Sequence, residues 1–430
     1  MSSPASSIKV AVIGAGSTYT PELIEGLARR SERLPIDELC LMDIADERLE
    51  IVGGLARRML DRLGWPGRLS ATTSREEAID GASFVLVQLR VGGQAMRLTD
   101  ETVPPRFGTI GQETTGAGGF AKALRTVPIV LELAELTAQR AAQDAWLIDF
   151  TNPVGIVTQA LLDAGHRAIG LCNVAIGVQR RMAAHFAVAP DAVQLGHVGL
   201  NHLSWVRNVW IDGSDRLPEL LARDPERLAD EAGGIPVELI NGLASIPSSY
   251  LRYYYCFGDV LREQLDGAHF RAQEVMDIEN QLLEMYRDPA LDTKPQLLEN
   301  RGGAFYSEAA LGLVASLVSG DGAVHEVDVR NDGTLAGFAD DDVVEVPARV
   351  EQGRIVPLPQ EPLAPELQGL AQHMAAYERV AARAAVTGDP ALARKALLAH
   401  PLVGQHPLNE ELAQRMLDAE LSRRPQEALA

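Results

Sequence analysis

The chain has 430 residues, 46% hydrophobic and 23% charged, which suffices for two large lobes around substantial cores. Its formal net charge of −20 argues against nucleic acid or an anionic membrane as partner, although a few arginines can still build a pocket for a small anion. No apolar run approaches the roughly 18 residues of a membrane-spanning helix, and the polar start Met1–Ser7 lacks the basic and apolar segments of a secretory leader, so a cytoplasmic protein is expected.

In chain order, Ile8-Lys-Val-Ala-Val-Ile-Gly14 is a β-branched apolar run ending in glycine, the pattern of a buried parallel strand. Gly14-Ala-Gly16-Ser17 follows as a turn, and Pro21 suits the first turn of the next helix. Leu39-Cys-Leu-Met-Asp43 is a second strand, its terminal acid 24 residues past Tyr19. That order is the one used to bind a dinucleotide: Gly14 and Gly16 let the backbone approach a pyrophosphate at a helix N-terminus. Asp43 would accept hydrogen bonds from the adenosine ribose and repel the additional phosphate of NADP. Tyr19 occupies the place of the usual third glycine, and a glycine turn that merely packs helix on strand is the plainer alternative.

The alternation continues with strands over Ser83–Arg90, Ala145–Pro153 and Ala168–Cys172 and a long helix over Ala121–Ala142. The fold class expected is therefore α/β: a doubly wound Rossmann-type NAD-binding domain over 1–196, like that of lactate or malate dehydrogenase, and a mixed α+β C-terminal domain over 197–430 for catalysis, metal binding and oligomerisation. Such sheets bind ligands at the carboxyl ends of their strands, which puts Arg90, Asn152, Cys172 and Asn173 on one crevice. Leu358–Pro365 looks like a connector, and Glu366–Val386 and Pro390–Ala399 like amphipathic helices without chemistry of their own.

Three scattered cysteines, Cys40, Cys172 and Cys256, do not make a disulfide framework, so at least one should be a free thiol available as thiolate. Cys172 and His202, 30 residues apart, can together hold a divalent metal with positions left open for substrate. A buried apolar cysteine is the plainer reading of Cys172, and His197 competes with His202. Glu113, in Gly111-Gln-Glu-Thr-Thr-Gly116, is a candidate for sugar hydroxyls or a metal-bound water, or else a solvated loop acid. Tyr250 opens an aromatic run through Phe257 that would otherwise be a packed helical face, the reading taken for Tyr253–Tyr255.

Several motifs together resemble glycoside hydrolase family 4: Gly14-x-Gly-Ser-x-Tyr-Thr-Pro-Glu22, Gly111–Gly116, Thr151-Asn-Pro153, Cys172-Asn-Val174, Gly199-Leu-Asn-His202, Tyr250-Leu-Arg-Tyr-Tyr254, Arg271-Ala-x-Glu-Val-Met276 and Arg301-Gly-Gly303. They cover nearly the whole chain in order. Asn173 after the cysteine is similar to the 6-phospho-β-glucosidase branch. The resemblance implies NAD and a divalent metal, usually Mn²⁺, as cofactors. It implies Cys172 and His202 as metal ligands, Tyr250 as catalytic base, and Asn152, Asn173 and Arg271 as substrate-binding residues, with Arg90 a further phosphosugar or cofactor contact.

The reaction implied is hydrolysis of a 6-phospho-β-glucoside, such as cellobiose 6-phosphate, by oxidation at C3, deprotonation at C2, elimination, water addition and re-reduction, outside the usual two-carboxylate scheme. A tyrosine base costs about 4 kcal/mol to ionise at neutral pH, which the metal, the nicotinamide and Arg252 or Arg271 would offset. A phosphorylated disaccharide or glycoside is the expected partner, and a homodimer or homotetramer the expected assembly. Two departures from the family pattern are Ala175, where many relatives carry proline, and Asp149, where Asn is common. The rival readings are a lactate- or malate-type dehydrogenase, a dinucleotide sensor without turnover, and a related family 4 glycosidase of different sugar specificity.

Overall fold

A computed structural model describes residues 7–267, 270–303, 305–351, 353–404 and 411–415. Most of the polar start, residues 1–6, lies outside them. Five short, largely apolar runs and one polar edge run form parallel strands: β1 (Lys9–Ile13), β2 (Glu38–Met42), the edge strand β3 (Arg68–Thr72), β4 (Phe84–Val87), β5 (Trp146–Asp149) and β6 (Ala168–Gly170), in the spatial order 3-2-1-4-5-6. That order reverses between β1 and β4, which leaves a crevice at their carboxyl ends.

Helices cover both faces of this sheet, so its strands are apolar on both sides. Ala11 and Ile13 of β1 pack into one core with Val85 and Val87, while Val10 and Val12 pack into the other with Phe84 and Leu86. The long helix begins at Gly116 and ends at Arg140, five residues earlier at its start than its sequence pattern suggests. Its first turn, Gly116-Ala-Gly-Gly119, has poor helix propensity and conceals the true start. The runs expected to reach Arg90 and Pro153 leave the sheet sooner, after Val87 and Asp149, and continue as loops. Thr151 ties those loops together: its Oγ1 donates to the Val87 carbonyl (3.1 Å) and accepts from Leu89 N (2.9 Å).

The sheet does not stop at β6. The strands β7 (Val193–Leu200), β8 (Leu203–Ile211), β9 (Ser214–Asp215), β10 (Ile246–Pro247), β11 (Val324–Arg330), β12 (Val343–Glu351) and β13 (Arg354–Pro357) extend it antiparallel, in the order β6-β11-β12-β7-β8-β10, with β9 and β13 paired to β8 and β12. Position 196 lies inside β7, so the first and second lobes share one sheet. The two terminal helices run over Pro365–Thr387 and Pro390–Ala399, and the connector before them is irregular as its prolines require.

Candidate active site

At the end of β1, Gly14 has φ +88°, and a Cβ there would lie 2.7 Å from the Gln88 carbonyl oxygen. Gly16 donates its N–H to Asp43 Oδ2 (2.8 Å), and a Cβ on it would strike that carboxylate. Asp43 also accepts from Ala45 N (2.9 Å), and Arg48 Nε donates to the Gly16 carbonyl (3.1 Å). Asp43 thus shapes the glycine turn itself, a role that adds to the ribose contact expected from its position. Behind the turn the helix Thr20–Arg29 starts, with Pro21 in its first turn as expected.

A cavity of about 1280 Å³ opens from this turn. Gly14, Gly16, Ser17, Asp43, Arg90, Glu113, Asn152, Asn173, Tyr250 and Arg271 all line it. These ten predicted residues come from eight separate stretches of sequence, joined only by the fold. The Asn152 amide bonds the Tyr306 hydroxyl, while its buried Oδ1 has no protein partner and is free to accept from a ligand hydroxyl. Arg271 opens the helix Arg271–Arg287, pairs with Glu274 (2.5 Å) and donates to the Asn300 carbonyl (2.7 Å).

Cys172 and His202 do not line that cavity; they sit directly behind its wall, both buried. The His202 ring stacks on Tyr250 with centroids 3.7 Å apart and planes 4° from parallel. His202 lies in the two-residue turn joining β7 to β8 with φ +62°, a left-handed conformation unusual for a side chain of its size. Its Nε2 is buried without a partner among the described residues, and burial lowers the imidazole pKa to about 4, so it is neutral. A neutral imidazole with an uncommitted ring nitrogen, beside a thiol, suits a divalent cation. Among the described residues no three His, Cys, Asp or Glu side chains converge as a closed cage.

Four expectations need correcting. All three cysteines are free, but Cys172 is no ready thiolate: burial, then the nearby Glu345 carboxylate, push its thiol well up. His197 is a weaker rival ligand than expected, because its Nε2 is taken by Glu345 Oε1 (2.5 Å), which leaves its buried Nδ1 as the ring nitrogen without a partner among the described residues. Tyr253 lines the cavity instead of packing only in the core; its neighbour Tyr254 is held by Thr115 at 2.7 Å. Arg252 pairs with Glu263 (2.7 Å) and not with Tyr250. Burial, Cys172, Tyr253 and Glu113 all push the Tyr250 phenol up, with a bond to Thr114 the opposing influence.

Glu113 is neither solvated nor uncommitted. Arg90, Lys122 (2.7 Å) and Arg97 (3.3 Å) converge on its carboxylate. Burial opposes its ionisation, but those three cations outweigh burial and hold the carboxyl well below its ordinary range. Burial lowers Lys122 to about 8, against Glu113. Arg97 also pairs with Glu101 (2.7 Å), so three cations meet two carboxylates and leave an excess of about one positive charge beside the cavity in a chain of net charge −20.

Sequence reasoning missed Arg97 and Lys122, which lie on helices with no motif of their own. It also missed Arg301, used only as a family marker. This side chain bonds Glu279 (2.8 Å) and the Thr18 hydroxyl (2.7 Å), tying the second lobe to the glycine turn. Asp149 is fully buried, accepts from Thr151 N (3.1 Å) and is pushed by burial up to about 8. Ala175 is buried in the first turn of the helix Val174–Phe186.

Comparison with known proteins follows this geometry. Residues 9–188 match the profile of the Family 4 glycosyl hydrolases, and residues 197–403 that of the Family 4 glycosyl hydrolase C-terminal domain. A probable 6-phospho-β-glucosidase of Bacillus subtilis is 38% identical over 97% of this chain and 98% of its own. The 6-phospho-β-glucosidase of Thermotoga maritima, solved with manganese, NAD⁺ and glucose-6-phosphate, superposes with a TM-score of 0.89 at 34% identity, covering 97% of this chain and 98% of its own. The malate dehydrogenase of Salinibacter ruber, at 15% identity and a TM-score of 0.53 over 89% of this chain and 98% of its own, shares the fold alone. With profiles matched across both lobes and relatives aligned end to end, the chain belongs to family 4 of the glycosyl hydrolases.

Proposed function

We propose that this chain hydrolyses 6-phospho-β-glucosides to glucose 6-phosphate and an aglycone, using NAD and a divalent metal such as Mn²⁺. The observation that carries this reading is the shared cavity: a dinucleotide turn at Gly14–Ser17 opens onto the same space as Asn152, Asn173, Tyr250 and Arg271, with His202 stacked behind Tyr250. A bound NAD supplies a reversible hydride acceptor and the divalent cation a Lewis acid for the sugar oxygens.

The residues of the chain do the rest. Gly14 and Gly16 keep side chains away from the pyrophosphate, and Asp43 faces the adenosine ribose. Cys172 and His202 would hold the metal. Asn152 Oδ1 accepts from a sugar hydroxyl, and Asn173 lies across the same cavity. Arg271, at the cavity rim, pairs with the 6-phosphate, and the cations around Glu113 favour an anion nearby. Tyr250 takes the proton from C2, and its ionisation depends on the positive charge that cofactor and metal bring to a site where the protein alone disfavours it. The division of labour between residues 1–196 and 197–430, cofactor against catalysis, is part of this proposal, as is a homodimer or homotetramer, which light scattering on the holoenzyme reads directly.

The test follows the C2–H bond, which direct displacement at C1 leaves intact and elimination must break. Turnover of a 6-phospho-β-glucoside in D₂O, with NAD⁺ and Mn²⁺, is expected to place deuterium at C2 of the released glucose 6-phosphate. A product wholly protiated at C2 would overturn the proposal.

A further inference from the structure

At the end of β7, Gly199 pairs with Glu345 of β12, the one register contact between those two strands. Glu345 is buried; its Oε1 meets His197 Nε2 at 2.5 Å, and its Oε2 accepts from Asn201 Nδ2 at 3.0 Å. The Asn201 amide carries a second N–H, and its side chain also hydrogen-bonds Cys172. Asp328 Oδ2, at 3.5 Å, is a more distant acceptor for the same amide.

One amide therefore touches a metal-ligand candidate on one lobe and a fixed carboxylate on the other. The residue that carries it is the immediate neighbour of the second ligand candidate, His202. An amide can serve two acceptors at once only if its plane is held, and a planar group with one N–H on a fixed carboxylate is held. Resting on the metal reading above, we propose that Asn201 and Glu345 are positioning residues for the metal: Glu345, clamped by His197, orients the Asn201 amide, which sets the Cys172 sulfur and the His202 turn in register with each other. Groups that orient first ligands in this way commonly change metal affinity by about 10- to 100-fold when removed.

The experiment measures Mn²⁺ binding without turnover, by the electron paramagnetic resonance signal of free Mn²⁺, on NAD⁺-saturated protein. Asn201→Leu removes the bridge at nearly constant volume and is expected to raise the Mn²⁺ dissociation constant about 10- to 100-fold. Glu345→Leu is expected to act in the same direction, whereas Glu345→Gln keeps an acceptor for Asn201 and should stay within about threefold of the wild type.

Orientation and charge are thereby separated. If Glu345→Gln binds as weakly as Glu345→Leu, the carboxylate acts by its field and the proposal fails. It fails equally if Asn201→Leu binds Mn²⁺ as the wild type does. Variants are compared only at wild-type NAD⁺ affinity; if Asn201→Leu does not fold, Asn201→Ala, which removes the amide without adding bulk or charge, takes its place. Cys172→Ser isolates the underlying reading. Undiminished Mn²⁺ binding in that variant overturns the metal assignment itself, whereas weak binding there with normal binding in the Asn201 variant overturns only the positioning role.

Discussion

At the scale of single residues, the site combines groups whose chemistry is unfavourable until ligands arrive. Tyr250 is buried among influences that keep its phenol protonated, and its ring is fixed by stacking on His202. Tyr250→Phe keeps that stack and the ring volume, so thermal stability should change little while turnover falls about 10²- to 10⁴-fold, the usual effect of losing a positioned base. Near-normal turnover in steady-state assays would leave Tyr250 as packing alone. Arg271 is partly exposed and, among the described residues, bonds a neighbouring acid and one carbonyl, so it is available to an anion. Arg271→Ala should raise KM for a 6-phosphosugar far more than for its unphosphorylated analogue, since a charge-assisted pair is lost. Equal effects on both substrates would assign Arg271 to the sugar ring or the helix start.

At the scale of elements, strand ends carry the function, and one of them stores a pH dependence. Asp149 closes β5 with no solvent exposure, one oxygen bonded to Thr151 N and the other without a partner. Burial raises its folded pKa to about 8, against about 3.9 in the unfolded chain. Between those values the folded protein holds a proton that the unfolded chain has released, so this group's contribution to stability is full below about pH 4 and is lost as pH rises toward 8. Asp149→Asn removes that titration. Chemical denaturation at pH 5 and pH 8 should show the wild type losing stability relative to the variant as pH rises, by no more than about 1.4 kcal/mol per pH unit. Parallel profiles would mean that Asp149 is ionised in the fold.

These elements also mark how far sequence patterns reach. β1 and β2 are legible because strands buried on both faces must be uniformly apolar and short. The long helix is misjudged at its start because glycines at 116, 118 and 119 satisfy close packing, not helix propensity. Arg97 and Lys122 are invisible for a different reason. An internal ion cluster depends on which helices meet over the sheet, and nothing in local spacing encodes that meeting.

At the scale of the molecule, the two lobes are one sheet, from β3 at one edge to β10 at the other. The fastening runs through β6–β11 and through the Arg301–Thr18 bridge, so neither lobe can open without breaking a strand pair. Scanning calorimetry of the metal-free protein should therefore give a single unfolding transition. Two well-separated transitions would show that residues 1–196 and 197–430 melt independently. Among the described residues no helix is long and apolar enough to cross a membrane.

The sequence by itself determined the parallel sheet, its strand-turn-helix nucleotide turn, and a set of site residues that family resemblance could name. It could do so because apolar periodicity and glycine placement are local consequences of backbone geometry. Only the tertiary structure decided that Glu113 is a captive of three cations, that His197 is held against Glu345, and that burial pushes the Cys172 thiol well up. Those outcomes turn on burial and on partners brought together from distant parts of the chain. Charge state and hydrogen-bond partnership are properties of an environment, and the environment exists only once the sheet has closed over the site.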